Sequence, residues 1–321
     1  MLLAGDVGGT KTLLGLFQRA PLRPIPFAVR AYPTSEYAGF TEMLEAFARD
    51  VRPPSRIEAA AVGVAGPVVD QRAQLTNVSW AISAAEIASW SGTRAALLND
   101  LEAMATSVEV LTPDETISLQ PGTPDSDGNA VVIAAGTGLG EAYLHRVNGR
   151  LKPVPSEGGH ADFAPRSDRE IELLRELRAT FGRVDVERIL SGPGVLNLHR
   201  FTHRGRGCAP LEGVLPGDEP AAVSQAAMEG TCPACAEALD LFVSAYGSEA
   251  GNLALRGVAT AGCYVGGGIS PKILPLIQRG SFMQAFGSKP PMEGLLARVP
   301  VRLILNEEAG VLGAAVFANS M

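Results

Sequence analysis

One pattern occurs twice in this chain: a short apolar strand, a turn of glycine and threonine, and a second strand. The first copy joins predicted strands 2–5 and 12–18, and the second joins predicted strands 130–135 and 141–146. A strand and not a helix follows each turn, so neither copy fits a dinucleotide fingerprint, and neither ends in the Gly-Lys-Ser/Thr of a Walker loop. The repeat therefore predicts two duplicated α/β domains.

The two turns have the chemistry of phosphate binding. Glycines let the backbone approach a ligand closely, and successive N–H groups form an anion-binding concavity. The residues concerned are Asp6, Gly8, Gly9, Thr10, Lys11 and Thr12 in the first turn, and Gly136, Thr137 and Gly138 in the second. Asp6 suits a hydrated Mg²⁺ ion that it contacts through water. The alternative, which stays open at this point, is a plain hairpin turn with a solvated lysine.

A third glycine turn, at Gly266, Gly267 and Gly268, follows the predicted strand 260–265 and precedes a predicted helix over 270–278. Adenine or ribose can lie against bare backbone of this kind. The same three residues also suit a tight strand-to-helix turn with no ligand.

Composition restricts the class of protein. With 321 residues, 46% hydrophobic and 19% charged, the chain is globular and long enough for one large domain or two moderate ones. A net charge of −7 without a Lys/Arg run argues against binding to nucleic acid or an anionic membrane. The sequence contains neither a signal-peptide pattern nor a membrane-length apolar run, so we expect a cytoplasmic protein.

Four cysteines, Cys208, Cys232, Cys235 and Cys263, are too few for a disulfide scaffold in a chain of this size and suit a reducing compartment. Cys232-Pro-Ala-Cys235 is compatible with half a zinc site or a redox pair. We find no second Cys or His pair at suitable spacing, which favours an inert pair at a helix start.

Several polar residues follow predicted strands or lie in predicted turns. Asn99 and Asp100 end the predicted strand 94–98, where they suit a helix N-cap, and Asp100 also suits a base acting on a hydroxyl. Glu157 and His160 flank two glycines and match the donors and acceptors of vicinal sugar hydroxyls better than a metal site. Glu187 precedes the turn at 191–194, which suits the approach of a nucleotide, but Glu187 equally suits a solvated helix position.

Helical periodicity predicts helices over 36–51, 235–255 and 309–319. Capping-box patterns place helix starts at Ser83 and at Ser167, the second with a predicted apolar face of Ile171, Leu174, Leu177 and Phe181. Segment 203–220, rich in glycine and proline, is predicted to be an exposed loop.

Together these motifs resemble a known family. Their order is Gly-Asp-Val-Gly-Gly-Thr (5–10), Thr76-Asn77 with Trp80, Leu-Asn-Asp (98–100), Ala-Gly-Thr-Gly-Leu-Gly (135–140), Glu-Gly-Gly-His-Ala-Asp-Phe-Ala-Pro (157–165), Glu-Arg-Ile-Leu-Ser-Gly-Pro-Gly (187–194), Gly-Asn-Leu-Ala-Leu (251–255) and Gly-Gly-Gly-Ile (266–269). The chain closely resembles the bacterial glucokinase family, within the actin-like/hexokinase superfamily of ATPases, from about residue 3 to about residue 313.

The resemblance implies ATP-dependent phosphorylation of glucose at its 6-hydroxyl, a need for Mg²⁺, and a homodimer. It implies two ribonuclease H-like (actin-like ATPase) domains around an interdomain cleft, with 1–112 plus 306–321 as the small domain and 113–305 as the large one. By position, Asp100 resembles the catalytic base. The implied glucose ligands are Asn99, Asp100, Glu157, His160 and Glu187. The phosphate and Mg²⁺ turns are those at 6–11 and 136–138, and Gly266 to Gly268 is the adenosine turn.

Two alternatives stay open. Lys11 replaces the Asn of many family members and gives a Gly-Gly-Thr-Lys run, which is common in the related ROK sugar kinases and repressors. A ROK-type kinase for another hexose or an N-acetylhexosamine is therefore one alternative, and a non-catalytic sugar sensor is the other. The ROK zinc motif is absent, because residues 161–207 contain no cysteine. Only five residues precede Asp6, which argues against the DNA-binding domain of a repressor.

Overall fold

The computed structural model describes residues 1–75, 78, 80–205 and 207–321. Thr76 and Asn77, which belong to the family pattern, lie outside the described residues. The chain divides into two compact units. The first comprises 1–115, 151–155 and 306–321, and the second comprises 116–150 and 156–305.

The strands are β1 (Leu2–Val7), β2 (Lys11–Gln18), β3 (Ile25–Pro33), β4 (Ala59–Val64), β5 (Arg72–Gln74), β6 (Ala81–Ser83), β7 (Ala95–Asn99), β8 (Thr116–Gln120), β9 (Ala130–Ala135), β10 (Leu139–Val147), β11 (Arg150–Ser156), β12 (Gly262–Gly266) and β13 (Val301–Ile304). The helices are α1 (Phe40–Val51), α2 (Ala84–Ser91), α3 (Asp100–Ser107), α4 (Asp168–Phe181), α5 (Gly192–His203), α6 (Glu219–Glu229), α7 (Pro233–Gly257), α8 (Leu274–Ile277), α9 (Ser281–Gly287), α10 (Glu293–Leu296) and α11 (Ala309–Ser320).

The two larger sheets share one topology. The first has the order β3-β2-β1-β4-β7, and the second has the order β11-β10-β9-β12-β13-β8. In each, a hairpin (β1–β2 or β9–β10) is followed by two strands that run parallel to its first strand. The carboxyl ends of β1, β4 and β7 therefore meet at one edge of the first sheet, and those of β9, β12 and β13 meet at one edge of the second.

Alternation along β1 divides the apolar residues of the first unit between the two faces of its sheet. Leu2 and Ala4 pack with α11, whereas Leu3 and Val7 pack on the opposite face with α1. The second unit has a single large core, in which α7 packs against α5, α6 and α9. Each sheet is thus held rigidly enough to position the turns at its edge.

The capping box predicted at Ser83 is present at the start of α2, and the one predicted at Ser167 is present only in part at the start of α4. Ser83 accepts a hydrogen bond from Glu86 N–H, and the Glu86 carboxylate accepts one from Ser83 N–H, so the predicted capping box is present. Ser167 caps α4 in the same way, but the Glu170 carboxylate accepts from Arg166 N–H instead of the cap residue.

The predicted apolar face of α4 is wrong at Ile171, whereas Leu174, Leu177 and Phe181 pack against the core of the second unit as predicted. Leu173 and Leu177 are buried along with Glu170, whereas Ile171 is 37% exposed. Burial of Glu170 has a local cause, since its carboxylate accepts hydrogen bonds from both the backbone and the guanidinium of Arg166. The buried side of α4 therefore also includes Glu170 and Leu173, which the apolar spacing did not predict.

Three other segments differ from expectation. The helix predicted from residue 36 begins at Phe40, after a short 3₁₀ turn at Thr34–Glu36. The helix predicted over 270–278 is only the single turn α8. Segment 203–220 is not wholly a loop, because α5 ends at His203, a 3₁₀ turn spans Ala209–Leu211 and α6 begins at Glu219. Among the described helices, none has the length and apolarity that a bilayer span requires.

Candidate functional site

In the first unit, two carboxylates lie at the edge where the parallel strands end. Asp6 is the penultimate residue of β1, and Asp100 begins α3 directly after β7. Burial and, secondly, the charge of Asp100 raise the pKa of Asp6 to about 7, against the opposing charge of Lys11. The carboxyl ends of parallel strands are where α/β sheets bind ligands. The sheet thus collects two acids and one ammonium group at such an edge.

The helix α11 comes into close contact with this edge. A Cβ atom at Gly310 would overlap the carboxylate of Asp6, so glycine is the residue that permits the approach. Gly63 plays a similar part between β4 and α3, where a Cβ would lie 2.8 Å from the Cβ of Ala103. Small residues therefore set the position of both Asp6 and Asp100.

Two threonines, Thr12 and Thr34, support the first glycine turn by hydrogen bonds. Thr34 Oγ1 donates to Gly8 O (2.8 Å), so the proton in its 2.9 Å contact with Thr12 Oγ1 comes from Thr12. Thr12 is fully buried and so cannot be the phosphate donor suggested by the sequence. Within the described part of the chain, the N–H groups of Gly9 and Thr10 have no hydrogen-bond partner. These two successive amides are available to an anion.

Asn99 is the N-cap of α3, as one of the two interpretations of the sequence predicts. Its Oδ1 accepts from Leu101 N–H (2.9 Å), and its Nδ2 donates to Gly66 O (3.1 Å). Both ends of the amide are thus engaged by the protein itself. The cap fixes the direction in which α3 leaves β7, and with it the position of Asp100.

In the second unit, the second glycine turn contacts Glu187. The Glu187 carboxylate accepts from Leu139 N–H (2.9 Å), and a Cβ at Gly138 would lie 2.6 Å from the same oxygen. In the described chain, the N–H groups of Thr137 and Gly138 have no hydrogen-bond partner. This turn therefore offers two successive amides, as the first one does.

The turn that carries Glu157 and His160 lies against the same strand. A Cβ at Gly159 would overlap Leu139 O, so the turn reaches β10 only because it has glycine there. Glu157 and His160 are both exposed, and His160 Nδ1 lies 3.7 Å from an Asp185 carboxylate oxygen. Leu139 thus brings Glu187, the second glycine turn and the Glu157 turn together, by contacts to its N–H and its C=O.

Beneath this turn lies a buried acid that sequence reasoning missed. Glu141 on β10 is 0% exposed, and neither of its carboxylate oxygens has a hydrogen-bond partner among the described residues. Burial and, secondly, the charge of Glu249 raise its pKa to about 7, against the opposing charge of Arg256. A Cβ at Gly158 would overlap the Glu141 carboxylate. Alternation along β10 places Glu141 on the same face as Leu139 and Tyr143. The sequence does not show which side chains surround its carboxylate.

Tyr246 on α7 holds the ends of two strands and was also missed. Its buried hydroxyl accepts from Ala135 N–H (3.2 Å) and lies 3.1 Å from Gly266 O. Gly136 and Gly267, the residues that directly follow these two strands, belong to the second and third glycine turns. Ser270 Oγ donates to Gly266 O (2.7 Å) and completes the network.

Comparison with known proteins gives a consistent result. The sequence model of a family described as Glucokinase matches residues 3–321. The chain belongs to the glucokinase family. A glucokinase from Synechocystis sp. is 37% identical, with 98% of this chain and 97% of the relative covered. A glucokinase from Aromatoleum aromaticum is also 37% identical, with 98% and 93% covered.

Solved structures agree with this glucokinase assignment. A glucokinase from an Antarctic psychrotroph has a TM-score of 0.86 and 26% identity, with 100% of this chain and 99% of that chain covered. A ROK family glucokinase from Streptomyces griseus, solved with glucose and AMPPNP, has a TM-score of 0.68 at 21% identity and shares the fold. The predicted α/β, actin-like fold is confirmed.

Proposed function

We propose that this member of the glucokinase family transfers the γ-phosphoryl group of ATP to the 6-hydroxyl of D-glucose. Family membership over nearly the whole chain supports the reaction. The observation that carries the assignment of residues is the edge of the first sheet, where Asp100 follows β7 beside Asp6. A homodimer and a cytoplasmic location remain predictions from the family resemblance.

The glycine turns are assigned to the phosphates. Each turn presents two successive N–H groups that the described protein leaves without partners, at Gly9–Thr10 and at Thr137–Gly138. Such amide pairs bind anions. Lys11 adds a positive charge to the first turn. Gly266 to Gly268, at the end of β12, is assigned to the adenosine.

The donor set at Asp6 fits Mg²⁺. Asp6 has a pKa raised to about 7, mainly by burial and secondly by the charge of Asp100, so a divalent cation between the two acids would stabilise the ionised form of Asp6. Asp6 would hold the ion through water. When bound, the ion neutralises charge that develops on the phosphates.

Asp100 is assigned as the base that accepts the proton of the sugar hydroxyl as the new O–P bond forms. Glu157, His160 and Glu187 are assigned to orient the sugar. The two carboxylates accept hydrogen bonds and the imidazole N–H donates one, which matches the hydroxyls of a sugar ring. Asn99 contributes through the cap that positions Asp100. Its amide must exchange its hydrogen bond to Gly66 O before it can bind sugar directly.

The test is turnover of an Asp100→Asn variant, followed as ADP release in a coupled assay. We expect kcat to fall by roughly 10²–10⁴-fold, while glucose affinity measured by calorimetry stays within about threefold. Asp114→Asn, at an exposed position of the same unit, serves as the matched control and should keep full activity. Turnover of Asp100→Asn within about tenfold of the unchanged chain would remove Asp100 from this role.

The sugar is tested in the same assay with glucose, mannose and N-acetylglucosamine. A site built to hydrogen-bond one set of hydroxyls discriminates strongly against a sugar that lacks the match. The highest kcat/KM is expected for glucose. A higher value for N-acetylglucosamine would favour the ROK-like alternative, and no turnover of any hexose would favour a sugar sensor.

A further inference from the structure

A cluster of histidine and cysteine side chains lies in the second unit, on elements that the proposed reaction does not use. The members are His199 and His203 from the last turns of α5, Cys208 from the connection after it, and Cys232 and Cys235 from the start of α7. Donor atoms of His199, His203, Cys208 and Cys235 all lie within 4.8 Å of one another.

The separations match those between the ligands of one tetrahedral ion. Bonds of 2.3 Å to sulfur and 2.0–2.1 Å to nitrogen put neighbouring sulfurs about 3.8 Å apart, and a sulfur and a nitrogen about 3.6 Å apart. Here, Cys208 Sγ lies 3.7 Å from Cys235 Sγ, and His203 Nε2 lies 3.9 Å from Cys235 Sγ and 3.3 Å from Cys232 Sγ.

The imidazoles are set up to coordinate. His203 Nδ1 lies 2.9 Å from His199 O, and since a carbonyl only accepts, Nδ1 carries the proton and Nε2 carries the lone pair. Metal-bound histidines typically have their second nitrogen fixed in this way. His199 Nε2 is shielded from solvent and has no hydrogen-bond partner among the described residues. A buried polar atom without a partner is costly, and a metal ion would satisfy it.

The helices that carry the donors are fastened to each other. Thr202 Oγ1 donates to Ala234 O (2.9 Å), which joins the end of α5 to the first turn of α7. The spacing of four residues puts His199 and His203 on one face of α5, where their rings lie 3.8 Å apart between centroids. A cleft of about 490 Å³, lined by His203, Cys208 and Cys232, opens onto the cluster and gives an ion a way in.

We propose that this cluster, His203, Cys208 and Cys235 together with Cys232 or His199, binds one structural zinc ion. Thiolate and imidazole donors in a tetrahedral set select zinc, and four protein ligands leave no position open for catalysis. The ion fastens the connection between α5 and α6 to the start of α7. The sequence favoured an inert Cys232–Cys235 pair because no second pair of ligands follows it at a recognisable spacing. The other members of the cluster are two histidines on α5 and a cysteine in the connection after α5. The proposal does not depend on the proposed kinase activity.

The experiment measures zinc by mass spectrometry in the full chain, purified without an affinity tag or chelator under reducing conditions. We expect about one zinc per chain. The Cys235→Ser and His203→Ala variants should retain less than about 0.2 zinc per chain, since each loses a ligand common to both possible sets. Cys263→Ala is the matched control, because Cys263 is buried on β12 outside the cluster, and it should retain the ion.

Two further measurements do not depend on the variants. X-ray absorption at the zinc edge counts the sulfur and nitrogen ligands. Three sulfurs and one nitrogen would identify Cys232 as the fourth ligand, and two sulfurs and two nitrogens would identify His199. Removal of zinc by a chelator should lower the melting temperature and speed tryptic cleavage within 204–218 by about tenfold, and added zinc should reverse both.

Two results would overturn the proposal. One is less than about 0.1 zinc per chain after incubation with equimolar zinc and desalting. The other is a loss of two hydrogens in the intact mass of protein purified without reductant, with Cys208 and Cys235 found joined and no zinc bound. Either result would show that the thiols serve another purpose.

Discussion

Glu141→Gln tests whether the buried acid under the Glu157 turn is neutral in the folded protein. Glutamine has nearly the shape of the protonated acid but no proton to release. Burial raises the pKa of Glu141 from its ordinary value of 4.5 to about 7. Between these values the unfolded chain releases the proton while the folded chain keeps it, so the free energy of unfolding falls as the pH rises. The loss is complete above about pH 7.

The magnitude follows from the same two values. At 1.36 kcal/mol for each pKa unit, the full loss is about 3 kcal/mol, of which about 2.5 kcal/mol falls between pH 5 and pH 8. The Glu141→Gln variant has no such loss. Its free energy of unfolding, relative to that of the unchanged chain, should therefore increase by about 2.5 kcal/mol from pH 5 to pH 8. For a unit of this size the difference is a relative gain of about 5–10 °C in melting temperature.

The assay is thermal and urea unfolding, followed by circular dichroism, of both proteins at several pH values. Groups such as Asp6 titrate in both proteins, and their contributions cancel in the difference. Glu176→Gln, on the exposed side of α4, is the matched control and should show a difference that does not vary with pH. A Glu141→Gln difference that changes by less than about 0.5 kcal/mol from pH 5 to pH 8 would mean that Glu141 is already ionised in the fold.

Two further substitutions test the support of the turns. Tyr246→Phe leaves the Ala135 N–H without its buried acceptor and should cost about 1–3 kcal/mol in the urea unfolding free energy, with Tyr143→Phe as a half-buried control. A cost under about 0.5 kcal/mol would show that the hydroxyl network does not hold the strand ends. Ser83→Ala removes the α2 cap and should cost about 1 kcal/mol, measured in the same way, whereas Ser91→Ala at the other end of α2 should cost less. Equal costs for the two serine variants would contradict the role of the cap.

The sequence was sufficient for the parts of the fold that depend on local chemistry. Both glycine turns follow from a strand pattern interrupted by residues that permit close backbone approach, and the Ser83 cap follows from a four-residue signature. The position of Asp100 at a strand end also follows, because an apolar run stops at Asn99. These features need no knowledge of what packs against them.

What the sequence could not give depends on contacts between distant segments. Glu170 on α4 is buried with Arg166, whose guanidinium also donates to Ser244 on α7. Thr12 is buried against Thr34, 22 residues away, and the His–Cys cluster joins residues as far apart as 199 and 235. Pairings of this kind become visible only when the chain is folded.

The way the first unit is built has a consequence for biosynthesis. Most of its sheet precedes the second unit in the chain, whereas α11, which covers Leu2, Ala4 and Ala61 on one side and touches Asp6 through Gly310, follows that unit. A growing chain must therefore complete all of the second unit while one apolar face of the first sheet is still uncovered. A premature stop just before α11 would leave that face open to water and to other nascent chains.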